Sequence, residues 1–278
     1  MFDFLGGDRV VRDYQGNIRT VHRFGESPRA ALTDPLTPLN VQPVGLTGFG
    51  DPLFSDEFSG STLNTSKWEP YYPDTEFWNA TEPGGHLTNS DEPQGYDLSG
   101  ITFDADGMVF TLREEETVPG LAYTSGMITS YSSFNPTYGV FEARMKLSNT
   151  QDAWPAFWMM PTAQIRFPEI DWMENDGKDA FNNLTYHTFH FPVPPGGNTS
   201  DNHGYTPDVG SAWHTFGGVW EPDRIRWYVD GIVVKDLATE VANSPMYLIC
   251  NLAGKKNSIP QVPAVVHVDY IRAWSLPE

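Results

Sequence analysis

Pro168-Glu169-Ile170-Asp171-Trp172-Met173-Glu174-Asn175 threads three carboxylates through apolar side chains. Side chains of a strand alternate between faces, so Glu169 and Asp171 share one. Glu174, five positions beyond Glu169, would point the other way in a regular strand. One extra residue, Trp172 or Met173, forming a β-bulge restores parity and brings all three acids to one face. Glu169 and Glu174 then stand as if about four residues apart, roughly 13 Å along the backbone. Side chains leaning inward leave roughly 6 Å between the carboxyls, near the ~5–5.5 Å used for glycoside cleavage with retention of configuration. Carboxylates that close resist simultaneous ionisation, so their pKa values must differ. A solvated acidic strand is the plain alternative, but surface strands seldom interleave acids with Ile, Trp and Met.

A chain of 278 residues, 39% apolar with 9 Trp and 17 Phe, can fill the core of one β-sandwich and carry an extension. Aromatic content is high at 14%, and sugar-binding clefts are one place for such rings, because sugar faces stack on them. A formal charge of −19 argues against nucleic acid or an anionic membrane as partner. A neutral polysaccharide is compatible with it, and so is plain solubility. Cys250 is the sole cysteine, so the fold has no internal disulfide and must hold by burial. No clustered His/Cys pattern points to zinc. Met1 to Arg9 lacks the basic start and apolar run of a secretory signal. No stretch reaches the ~18 apolar residues of a membrane span.

Residues 1–50 carry five Arg and five acids, so the charge imbalance sits in the rest of the chain. Pro28, Pro35, Pro38 and Pro43 make this part an extended arm, with a domain boundary expected near Gly48-Phe49-Gly50. From Leu53 onward, short alternating runs separated by turn residues are the pattern of a sandwich. Asp230-Gly231 between two β-rich runs is a hairpin signal. Tyr138 to Lys146 alternates strictly, with Glu142, Arg144 and Lys146 on one face.

Glu169-x-Asp171-x-x-Glu174 resembles the catalytic signature of glycoside hydrolase family 16 in its bulged, laminarinase-like form. Further segments resemble the family in its own order. They include Phe54-Ser55-Asp56-Glu57-Phe58, Phe141 to Lys146, Trp154-Pro155-Ala156-Phe157-Trp158, Trp227 to Gly231, Asn251 to Gly254 and Val268 to Arg272. The resemblance covers roughly residues 53–275. It implies an all-β jelly roll of two curved antiparallel sheets, whose concave face is the substrate cleft.

In that family the first Glu is the nucleophile, the last the general acid/base, and the Asp orients and tunes them. The resemblance therefore implies these roles for Glu169, Glu174 and Asp171. It places Trp154 and Trp158 on one face as sugar-stacking rings, and Arg144 and Glu142 in the cleft floor. It puts Asn251 at the cleft edge. His187 is expected beside the acids, with His190 facing away. A structural calcium is implied at Asp269, with Glu57 and Gly107 as carbonyl donors; an ion pair of Asp269 with a nearby base is the alternative. Residues 69–97 depart from the family, which leaves the polysaccharide undecided. Together these readings predict a retaining endo-glycosidase of β-1,3-glucan or a related glycan such as galactan, without a catalytic cofactor. A non-hydrolytic glycan-binding module is the rival, against which three intact acids count; transglycosylation remains open. The neutral, proline-rich arm of residues 1–50 and the missing signal suggest attachment to a larger assembly, such as a phage tail, and action outside the cell.

Overall fold

The computed structural model describes residues 32–73, 92–163, 167–175, 177, 184–193, 196–206, 208–240, 242–255 and 257–277, with two short strands at 9–12 and 18–21. In chain order the strands are β1 (Arg9–Arg12), β2 (Ile18–Val21), β3 (Phe54–Asp56), β4 (Gln94–Tyr96), β5 (Ile101–Asp104) and β6 (Gly107–Glu114). They continue with β7 (Tyr123–Ser125), β8 (Met127–Thr129), β9 (Gly139–Lys146), β10 (Ala153–Pro161), β11 (Glu169–Glu174) and β12 (Leu184–Val193). The last six are β13 (Gly196–Tyr205), β14 (His214–Glu221), β15 (Arg224–Val229), β16 (Ile232–Ala238), β17 (Met246–Gly254) and β18 (Ala264–Trp274).

One sheet runs β13-β12-β11-β10-β17-β8, and a second runs β16-β15-β14-β9-β18-β6-β7-β4. β3 and β5 add to the second sheet at β18 and β6. The two sheets stack as the sandwich that the alternation and the turn residues predict, in the jelly-roll form that the resemblance implies. Between them lies a core in which Phe157, Ile170, Trp172, Met173 and Phe189 from the first sheet meet Phe110, Phe141, Phe216, Trp220 and Val266 from the second. The Trp172 ring stacks on Phe141 at 5.6 Å and tilts toward Trp227 at 5.9 Å. Gly218 is required here, because a Cβ at that position would overlap the Trp172 ring.

The Asp230-Gly231 hairpin forms as expected. Val229 pairs with Ile232, and the two loop residues have φ of 50° and 76°, the positive values that a type I′ turn demands.

Chain packing does not change at Gly48–Gly50. Residues from Leu32 onward already lie on the sandwich. Val41, Leu46 and Phe49 cover Val140, Val219 and Trp274 on the outer face of the second sheet. The Trp274 indole donates to Val41 O at 3.0 Å, and Val44 N donates to Glu142 at 2.7 Å. Gly45 and Gly231 touch backbone to backbone, where a Cβ on Gly231 would come within 2.7 Å of Gly45 Cα. Most of the arm before Leu32 lies outside the described residues.

Candidate active site

The irregularity of the first sheet falls on β11. Asp171 pairs with Thr188 and Glu174 with Tyr186, so Trp172 and Met173 together oppose the single residue His187. Toward β10, the register passes from Met173 opposite Phe157 to Asp171 opposite Trp158, and Trp172 is skipped. Two consecutive side chains, Trp172 and Met173, therefore both enter the core, at 0% exposure. Burial of that apolar pair fixes the parity of what flanks it. Glu169, Asp171 and Glu174 all emerge on the outer face of the first sheet.

Asp171 is 2% exposed, whereas Glu169 and Glu174 are half-buried. The Trp227 indole donates to Asp171 O at 2.8 Å and pins the backbone from the core side. On the acid face, Asp171 Oδ2 lies 3.3 Å from His190 Nε2. Glu169 pairs across the strands with His190, and Glu169, Asp171 and His190 each offer an atom within 4.8 Å of the others.

β10 places Trp154 and Trp158 on the same face. Trp154 Nε1 donates to Glu174 Oε1 at 3.0 Å. Trp158 Nε1 donates to Asn251 Oδ1 at 2.8 Å, and Asn251 Nδ2 donates to the Tyr96 hydroxyl at 2.9 Å. Tyr72 donates to Glu92 at 3.2 Å, and Gln94 holds the other Glu92 oxygen at 3.0 Å. Burial, and then the Glu92 charge, push the Tyr72 and Tyr96 phenols well above their ordinary range. Both hydroxyls stay protonated. The face therefore carries an acid row beside the partly exposed Trp154, while Trp158 is buried in a second core cluster with Tyr72, Tyr96 and Tyr247. Tyr96, Glu92 and Gln94 were not singled out from the sequence, where nothing marks short polar strands that fold across a distant face. Phe77 and Trp78 of the divergent segment lie outside the described residues.

The profile of the glycosyl hydrolases family 16 matches residues 89–270. The chain belongs to glycosyl hydrolase family 16. It is 33% identical over 245 residues to an endo-1,3-1,4-beta-glycanase of Rhizobium meliloti, covering 80% of this chain and 51% of that protein. It is 30% identical over 267 residues to a glucan endo-1,3-beta-glucosidase of Niallia circulans, covering 80% of this chain and 37% of that one. The chain thus spans about half the length, or less, of these relatives. Among solved structures, the laminarinase catalytic domain from Thermotoga maritima superposes with a TM-score of 0.66 at 26% identity, covering 82% of this chain and 99% of that one.

Three of the family-based expectations fall on residues that have partners of their own. The first concerns the histidines. His187 is fully buried and faces the core, whereas His190 stands with the acids. The register explains this, because Tyr186, Thr188 and His190 are the residues paired with Glu174, Asp171 and Glu169. Phe189 and Phe191, of the same parity as His187, pack in or against the core. That alternation was readable in the sequence.

The second concerns Glu142 and Arg144. They share a face, as expected, but β9 belongs to the second sheet and turns Phe141, Ala143 and Met145 into the core. Glu142 and Arg144 therefore lie on the far side of the sandwich from the acids. Glu142 accepts from Val44 N and from the Tyr270 hydroxyl at 2.8 Å, and burial raises its pKa.

The third concerns calcium. Asp269 is the extra residue of a bulge between Val268 and Tyr270, and its carboxylate is bound by Arg144 at 2.5 Å. The Arg144 guanidinium itself lies over the Trp213 ring at 4.8 Å. The Glu57 carboxylate is gripped by Arg272 through two bonds of 2.8 and 2.6 Å. Gly107 packs so closely on β18 that a Cβ would come within 2.5 Å of Val268 O. The Asp269 carboxylate thus takes the ion pair with a nearby base that the sequence offered as the alternative to calcium.

Proposed function

We propose that this chain is the catalytic part of a retaining endo-β-glucanase acting on β-1,3- or mixed β-1,3-1,4-glucan outside the cell. The observation that carries this is the bulge at Trp172 and Met173, which puts Glu169, Asp171 and Glu174 on one face beside Trp154 and Trp158. The names of the relatives support glucan over galactan. Glu169 attacks the anomeric carbon while Glu174 protonates the departing glycosidic oxygen, giving a glycosyl-enzyme. Water then enters with Glu174 as base, and Glu169 is released as carboxylate. Asp171, buried between them in the strand, orders the pair.

The test is incubation with laminarin, lichenan, agarose and galactan, followed by product sizing and by NMR of the first-formed anomer. Internal cleavage of laminarin or lichenan with the β-anomer appearing first is expected. An α-anomer appearing first, or no cleavage of either glucan, overturns the proposal.

A further inference from the structure

The family resemblance marks Trp154 as a sugar-stacking ring, yet the structure gives its polar edge a separate task. Ala156 pairs directly with Glu174 across β10 and β11. Trp154, two residues earlier on the same face, reaches Glu174 diagonally, well within the span of an indole. Its Nε1–H points at Glu174 Oε1 at 3.0 Å. An indole nitrogen can only donate, so the oxygen it meets must act as an acceptor, and a carboxyl proton on that oxygen would meet another proton.

We propose that Trp154 is a positioning residue for the acid/base, its indole N–H occupying Glu174 Oε1 so that the transferable proton is carried on Oε2. This rests on the reading of Glu174 as acid/base. In the first step the Oε2 proton moves to the glycosidic oxygen as its bond to the anomeric carbon breaks and a Glu169 oxygen bonds to that carbon. In the second, Oε2 takes a proton from water as the water oxygen bonds to the anomeric carbon and Glu169 leaves. Oε1 accepts from Trp154 throughout, so the side chain does not turn over between its two roles. A neutral donor aimed at a carboxyl stabilises its ionised form more than its protonated form. The bond thus favours Glu174 as base, in the step that frees the enzyme.

Trp154→Phe in the full chain keeps the aromatic face and removes the donor; Trp154→Tyr serves the same purpose if the Phe variant does not fold. The readouts are the pH profile of kcat/KM on laminarin and turnover of a 2,4-dinitrophenyl β-glycoside of a short β-1,3-gluco-oligosaccharide, whose leaving group needs no proton. With the donor gone, the ionised form of Glu174 is less favoured. The basic limb of the profile should move up by about half to one pH unit, the size of one hydrogen bond to a charged group. Hydrolysis of the glycosyl-enzyme formed from the dinitrophenyl substrate, the step that draws on the ionised form, should slow at pH 7 by up to about tenfold. An unmoved limb with only KM raised returns Trp154 to stacking alone and overturns the assignment, while the acid/base reading stands. If Glu174→Gln leaves the limb of the wild-type profile in place, the reading itself fails, and the assignment with it.

Discussion

His187 Nδ1 lies 2.8 Å from the carbonyl oxygen of Trp172, the residue that the bulge adds to β11. A carbonyl only accepts, so Nδ1 carries the proton, and Nε2 is left to accept from Thr185 Oγ1 at 3.2 Å. The imidazole thus satisfies backbone that the bulge takes out of the ladder. Burial lowers its pKa from 6.5 to about 4. Because the folded value lies below the unfolded one, the unfolded chain binds more protons between those pH values. Stability tied to His187 is therefore complete above pH ~6.5 and lost as pH falls toward 4, on the order of 3 kcal/mol in all. His187→Gln keeps a donor for Trp172 O and cannot titrate. Denaturant midpoints measured from pH 4 to 7 should fall steeply toward acid in the wild type and less steeply in this variant. Equal slopes would remove His187 as the acid-sensitive group.

Much of the site was legible because it depends on parity. Three acids among Ile, Trp and Met can share a face only through a bulge, and the two candidates, Trp172 and Met173, are the two residues that together oppose His187. Asp230-Gly231 announced its hairpin because only certain residues accept positive φ twice in succession. What parity cannot supply is the sheet to which a strand belongs. Glu142 and Arg144 alternate correctly with the core, yet whether their face lies beside the acids or on the far side depends on β9 pairing with β14 and β18, a long-range fact. His187 was different. Phe189 and Phe191 already set it inward.

The Arg144–Asp269 pair leads to a second prediction. Both side chains are 37% exposed, and pairs this open are worth about 0–1 kcal/mol. Arg144→Ala should shift thermal stability by no more than a few degrees and leave KM for laminarin unchanged, since the residue faces away from the acids. Added calcium or chelator should leave the wild-type melting temperature where it is. A rise with calcium that disappears in Asp269→Ala would place the metal there and show that Arg144 can be displaced.

Asn251 links two rings that have no covalent tie. Its Oδ1 takes the Trp158 indole proton and its Nδ2 reaches the Tyr96 hydroxyl, all three residues being buried. Asn251→Ala strands the indole N–H, at a cost of about 1–3 kcal/mol, and frees the ring to tilt. A melting temperature lower by several degrees is expected, together with weaker oligosaccharide binding by calorimetry. A variant as stable as the wild type would mean that water replaces the amide.

The two glutamates should separate by the product each variant makes. Glu169→Gln and Glu174→Gln are nearly isosteric changes at half-buried positions, so folding should survive and glycan binding persist. Loss of the acid/base should cost about 10²–10⁴-fold on laminarin. Loss of the nucleophile should cost more, because the covalent route closes. Cutting each side chain back to Ala opens room for azide, and the stereochemistry then reports the missing role. In Glu174→Ala the glycosyl-enzyme still forms on an activated substrate. Azide attacks it from the face the leaving group vacated, and the product is the β-glycosyl azide. In Glu169→Ala no covalent intermediate exists, azide enters from the nucleophile's side, and the product is the α-glycosyl azide. Proton NMR of the two azides distinguishes them directly. If the anomers are exchanged between the variants, the roles of Glu169 and Glu174 are reversed; if neither variant is rescued and both keep near-normal turnover, the bulged strand is not the catalytic one.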